Sequence, residues 1–220
     1  MNRPRLFAAT VPALLAAALC AAPAASASGT AAPAARPHVP HCVASDGFDF
    51  NKVFHVKERI IAPPATCRVA IAKEPWVRAV LGWSTQTAEK AVYPAGYTPL
   101  RRAPIEDFNA KFVSATYVHD IGTPQEQTFT FDKKRVLRTG LTDLDGFPQS
   151  VPVSPPLKAL SVGQHTSTVF ITLSAEHCDG FTTDRAASCL PAGTIQFSDD
   201  TPFEVQPRPR DTKHPDRRPD

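Results

Sequence analysis

The sequence predicts an all-β protein, an antiparallel sandwich with two disulfides and little helix. Three observations predict it. Short runs rich in β-branched and aromatic residues recur along the chain, each bounded by Gly, Pro or Asp. The 23 prolines are scattered rather than gathered at one linker, which suits a single domain with many turns. The cysteines fall into an even set once the first 27 residues are set aside, which suits a stapled extracellular domain.

Residues 1–27 read as a secretory signal peptide. Arg3 and Arg5 form a short basic start, residues 6–22 are almost wholly apolar, and Ala25-Ser26-Ala27 offers a small-x-small cleavage pattern. Pro12, and the lack of a charged flank after the apolar run, speak against a membrane-spanning helix. Leu19 stands where a lipobox needs a small residue, so Cys20 is not expected to carry a lipid. Cleavage after Ala27 removes Cys20 and leaves Cys42, Cys67, Cys178 and Cys189, which oxidise in an exported protein. Pairing between sequence neighbours gives Cys42–Cys67 and Cys178–Cys189. Each bond closes a modest loop and contributes roughly 3 kcal/mol on the chain-entropy model.

Cleavage also removes two positive charges and no acid. The 24 Lys and Arg become 22 against 21 Asp and Glu, a net charge near +1 instead of +3. So weak a balance argues against a nucleic-acid partner, which calls for a clustered basic face, and against polybasic attachment to a membrane. Residues 28–40, rich in Ala and Pro, read as a flexible leader, and residues 206–220, Pro-rich and charged, as a disordered solvating tail. Residues 41–205 remain as one domain, long enough for one good core.

Within that domain, residues 53–61 (VFHVKERII) are β-branched and are stopped by Pro63-Pro64. Residues 76–81 (WVRAVL) and 112–118 (FVSATYV) follow, the latter ending before Asp120 and Gly122. Residues 127–131 (QTFTF) and 168–173 (TVFITL) alternate cleanly, the period of a half-buried strand. Residues 194–197 (TIQF) and 202–205 (PFEV) close the domain as two further strands. Helical signal is limited to a turn or two at 67–73 and a single turn at 132–137.

Leu160-Ser161-Val162-Gly163-Gln164-His165 carries a resemblance. The pattern Leu-x-x-Gly-x-His before an alternating strand resembles the corner of immunoglobulin-like and fibronectin-III-like sandwiches, where a tyrosine usually pins the turn to the backbone. The resemblance implies that Gly163 and His165 form a structural corner, with the imidazole in the tyrosine's place. The chain is more broadly similar to small secreted proteins of high-GC Gram-positive bacteria, over most of its mature length. That similarity implies a fold and an extracellular address and brings no catalytic residues with it.

Motifs for chemistry are weak throughout. His41-Cys42 and His177-Cys178 are matching dipeptides, but no Cys-x₂₋₄-Cys or His-x₃₋₅-His spacing supports zinc, and neighbours on a strand face opposite ways. Asp143-Leu144-Asp145-Gly146 begins like a calcium loop and lacks the later ligands, so it reads as a polar turn. Gly82-Trp83-Ser84 begins like a nucleophile elbow and lacks the second glycine. Glu106-Asp107 and Asp199-Asp200 read as solvated acids. Leu190-Pro191-Ala192-Gly193-Thr194 inverts the order of a sortase signal and reads as a turn. Trp76 reads as core, while Trp83, Tyr93 and Tyr97 could be core or a carbohydrate-stacking patch.

The residues between Cys178 and Cys189 make a stapled loop, in which Phe181 and Arg185 have the reach to engage a partner. The expected function is therefore a secreted, monomeric, non-catalytic binding or structural module. Its partner would be an extracellular protein or polysaccharide, with no cofactor, no metal, no nucleic acid and no membrane attachment after cleavage. Two alternatives stand beside it: a protease inhibitor that presents the 178–189 loop, and an enzyme whose site is assembled from scattered residues.

Overall fold

The structure is a computed structural model that describes residues 42–208, all within the unit Val39–Asp220. The signal peptide at 1–27, the leader at 28–40, His41 and the tail from residue 209 onward lie outside the described residues. Twelve strands are present among the described residues: β1 (Arg59–Ile61), β2 (Val69–Ile71), β3 (Trp76–Arg78), β4 (Trp83–Ser84), β5 (Phe112–His119), β6 (Gln127–Asp132), β7 (Leu137–Thr142), β8 (Pro148–Pro152), β9 (Gly163–Leu173), β10 (His177–Cys178), β11 (Cys189–Leu190) and β12 (Gly193–Gln206). Helices are short: α1 (Phe50–Phe54), α2 (Pro104–Lys111), α3 (Lys133–Val136) and α4 (Arg185–Ser188). The protein is thus mostly β with little helix, as the sequence predicts, and both expected disulfides are formed.

The main sheet has the order β2-β12-β9-β5-β6. Its centre follows from period-2 burial. Ala115, Tyr117 and His119 of β5 lie opposite Ile171, Val169 and Ser167 of β9, and all six point into the core. Three-stranded β4-β8-β7 and two short two-stranded pairs complete the architecture. The pairing is not uniformly antiparallel, because β12 runs parallel to β2 and β1 runs parallel to β3. The result is a curled mixed sheet rather than a regular two-sheet antiparallel stack.

The segments expected as separate strands at 194–197 and 202–205 are one strand, β12, with register shifts on either side of Ser198. An extra residue on one strand bends it and increases its twist, and here the bend curls the sheet. Asp199 and Asp200 occupy the irregular stretch. The Thr168 hydroxyl donates to Asp200 Oδ1, and Val169 N donates to Ser198 Oγ at 3.1 Å, so side chains replace ladder bonds lost there.

Residues 53–61 are not a single strand. The Asp49 side chain caps α1 by accepting from Lys52 N at 3.0 Å, and His55, with φ 53°, ends it in the left-handed region. The side chain of Asn51 accepts from Cys42 N and donates to the carbonyls of Val56 and Glu58, which fixes the turn against β propensity. The helix expected at 67–73 is β2 instead, preceded by a 3₁₀ turn (Ala65–Cys67). Its hydrogen bonds come from β12, far away in sequence. Helices α2 and α4, the β7–β8 hairpin and the short strands β4, β10 and β11 are further elements that the alternation does not reveal.

Candidate functional site

An open pocket lies beside the Cys42–Cys67 disulfide. Its floor is Phe48, Phe50, Phe54, Val80 and Val151, and its cavity volume is about 230 Å³. The disulfide closes a 25-residue separation around α1. Phe50 and Phe54 are one helical turn apart, so they share a face of α1. Phe48 joins them edge to face, with ring centroids 4.8 Å from Phe50 and 6.2 Å from Phe54. Gly82 sits against the wall: a Cβ there would lie 2.6 Å from the Gln149 side chain and 2.7 Å from Val151 Cγ2. Only a residue without a side chain lets this segment approach β8 so closely.

The rim is acidic. Asp46, Asp143 and Asp145 line it, and none of them forms an ion pair among the described residues. Asp143 and Asp145 are the residues that begin like a calcium loop. They form the polar β7–β8 turn, where Asp143 Oδ1 accepts from Asp145 N at 3.1 Å and Phe147 N at 2.8 Å. Asp46 Oδ1 accepts from Phe48 N at 2.9 Å in a similar turn. Leu81 and Leu144, at 64 % and 69 % exposure, flank the opening.

A second constellation is centred on the buried side chains of Asp107, Lys111 and His177. Asp107, expected to be solvated, is fully buried, while its neighbour Glu106 is exposed. Pro104 opens α2 and Asp107 lies in its first turn, on the face that meets β10. Asp107 Oδ2 accepts from His177 Nδ1 at 2.8 Å, Lys111 Nζ at 2.7 Å and Tyr97 Oη at 2.7 Å, and Oδ1 accepts from Leu100 N at 2.5 Å. Burial by itself raises this carboxyl, but the four hydrogen bonds outweigh it and hold it below the usual carboxylate range. His177 is depressed, chiefly by burial and only partly offset by Asp107, so its ring is neutral and donates from Nδ1. Its Nε2 has no partner among the described residues and lies among the rings of Trp83 and Phe108. Tyr97 Oη also accepts from Cys178 N at 3.1 Å. The cluster therefore latches the disulfide hairpin β10–β11 onto α2. It resembles an acid–base dyad in its atoms, with His177 and Asp107 both fully buried.

His165 lies at the start of β9. Its Nε2 lies 2.9 Å from the carbonyl of Ser161, and its Nδ1 lies 2.7 Å from Asp120 Oδ2. Asp120 Oδ1 also accepts from Thr166 N at 3.0 Å, and Gly163 takes φ 143°, a conformation open to glycine.

Cys178 and Cys189 are directly opposed across β10–β11. Glu176 lies close to both sulfurs, but these are bonded to each other and are not thiolate ligands. The enclosed loop is tied down. Gly180 packs where a Cβ would meet Ala91 Cβ at 2.9 Å, and its carbonyl accepts from Val92 N. Phe181 is 39 % exposed and meets Phe147 edge to face at 4.8 Å. Arg185 begins α4, where its guanidinium binds the Glu176 carboxylate and the Ala95 carbonyl.

The remaining aromatics are also engaged. Trp76 is buried and donates from Nε1 to the carbonyl of Lys158 at 3.0 Å. Tyr93 and Tyr97 meet at 5.2 Å beside the Asp107 cluster, both half-buried. Ser84 ends the short strand β4 and its Oγ accepts from Gln149 Nε2 at 3.3 Å. Sequence reasoning missed the phenylalanine floor altogether; the i, i+4 spacing of Phe50 and Phe54 after a capping Asp49 is the signal that could have revealed it.

No protein-family model, curated protein or solved structure matches this chain.

Proposed function

We propose that this is a secreted, non-catalytic binding module, and that the pocket floored by Phe48, Phe54 and Val151 is its recognition site. The observation that supports it is a contrast. Asp107, Lys111 and His177, the side chains arranged like an acid–base cluster, are buried, whereas the floor of the open concavity is apolar. Apolar pockets with a few placed polar groups are the usual form of binding sites. An extracellular setting agrees with the two disulfides. The finer architectural reading, an immunoglobulin-like sandwich, rests on the corner at Gly163 and His165, where the ring bonds the backbone four residues upstream.

The test is a titration of ¹⁵N-labelled protein with benzyl alcohol, an uncharged single ring. Shift changes confined to residues 44–54, 80–82 and 143–151 are expected. Changes spread over the surface, or none at millimolar ligand, would reject the pocket. Turnover of chromogenic esters that His177→Gln abolishes would reject the non-catalytic reading.

A further inference from the structure

Size and charge together narrow the occupant. The cavity of about 230 Å³ exceeds a cavity of roughly 150 Å³ that takes benzene but falls short of the roughly 300–1,000 Å³ of sites for whole small molecules. It therefore holds one ring or one long side chain, not a cofactor. Three carboxylates surround that single-residue hole and have no cation beside them among the described residues. Two of the three are held rigidly, because Asp46 and Asp143 each spend Oδ1 on turn hydrogen bonds and present a fixed charge. Leu81 and Leu144 flank the opening with exposed apolar surface that a ligand larger than one side chain would cover.

We propose that the pocket receives one aromatic side chain from a positively charged, extended peptide segment of a partner protein. This deepens, and rests on, the binding reading above. The aromatic ring fills the phenylalanine floor, and basic residues on either side of it meet Asp46 on one wall and Asp143 and Asp145 on the other. Charge complementarity of this kind selects partners and speeds encounter more than it adds affinity. The chain's own basic segment at 209–220 does not fit the description, because it contains no large apolar side chain.

The experiment uses four blocked tripeptides, Lys-Phe-Lys, Ser-Phe-Ser, Glu-Phe-Glu and Lys-Ala-Lys, titrated into the full chain and followed by NMR shifts at Gly82 and Leu144. Lys-Phe-Lys is expected to bind about tenfold or more tighter than Glu-Phe-Glu at low salt, with the gap closing at high salt. The triple variant Asp46→Asn, Asp143→Asn, Asp145→Asn keeps the turn acceptors and removes the charge, so it should abolish the preference. Salt dependence in the unaltered protein gives the same information if that variant fails to fold. Equal binding of the three Phe peptides, with Lys-Ala-Lys inert, would overturn the charge proposal and leave the pocket reading intact. Equal binding of Lys-Phe-Lys and Lys-Ala-Lys would overturn the pocket reading itself. A concentration-dependent dimer that the triple variant dissolves would make a second copy the occupant, and would also overturn the proposal.

Discussion

His177 and Asp107 lie 70 residues apart in sequence and 2.8 Å apart in space, in a site that solvent does not reach. The contact joins the disulfide hairpin to helix α2, and Lys111 completes it from the next turn of that helix. One carboxylate thus satisfies a cation, an imidazole and a phenol at once.

Removing that carboxylate should be costly. Asp107→Ala leaves the Lys111 ammonium buried without its partner, and a loss of about 3–5 kcal/mol is expected. Urea denaturation of the purified variant measures it. An unchanged midpoint would mean that solvent reaches Lys111.

Acid should destabilise the fold from about pH 6.5 downward. His119 is buried with no hydrogen-bond partner on either nitrogen among the described residues, and burial lowers it to about 4. The unfolded chain therefore binds more protons than the native state between about pH 6.5 and pH 4, so stability is full above that window and falls as pH drops through it. The shift corresponds to ~3 kcal/mol across the window. His177, also depressed, acts in the same direction, and the lowered Asp107 carboxyl extends the loss to still lower pH. His119→Phe, which packs against Trp76 and Phe129, should reduce the slope of stability against pH between 6.5 and 4. A slope identical to that of the parent would assign it elsewhere.

At the corner, His165→Ala removes two hydrogen bonds and leaves buried Asp120 short of a donor. A loss on the order of 2 kcal/mol is expected. Thermal or urea melts provide the reading, and an unaltered melt would show that the corner does not hold the turn.

The 178–189 loop should be a poor substrate mimic. Arg185 lies in a helical turn and is engaged by Glu176 and the Ala95 carbonyl, whereas a trypsin-like site takes an extended segment with a free arginine. Trypsin mixed with equimolar oxidised protein should retain its activity. Stoichiometric inhibition lost in Arg185→Ala would restore the inhibitor reading.

Where local pattern decides structure, the sequence was legible. Alternation over β6 and β9 is set by which side chains enter the core, and the chain shows it directly. The cysteine pairing followed from position, and the Gly163–His165 motif led to a ring that bonds its own upstream backbone. Where distant residues decide, it was not. Val53 and Phe54 favour a strand, yet Asn51 closes a helical turn through three backbone groups. Val69 to Ile71 pair with a strand near the other end of the domain. Asp107 looked like one of two solvated acids because its cation and imidazole arrive from α2's next turn and from β10. The pocket was invisible for the same reason: its walls come from four separate segments.

The parallel pairing of β12 with β2 has a consequence for how the chain is made. Glu204, Val205 and Gln206 supply the partners of Val69, Ala70 and Ile71. A chain emerging from its N-terminal side therefore carries an unfinished sheet edge until residue 206 is free, and cannot complete it piecemeal during synthesis. Folding must wait for a contact of long sequence separation, which slows it and leaves apolar strands open to mispairing meanwhile. The last long strand acts as the fastener of the sheet.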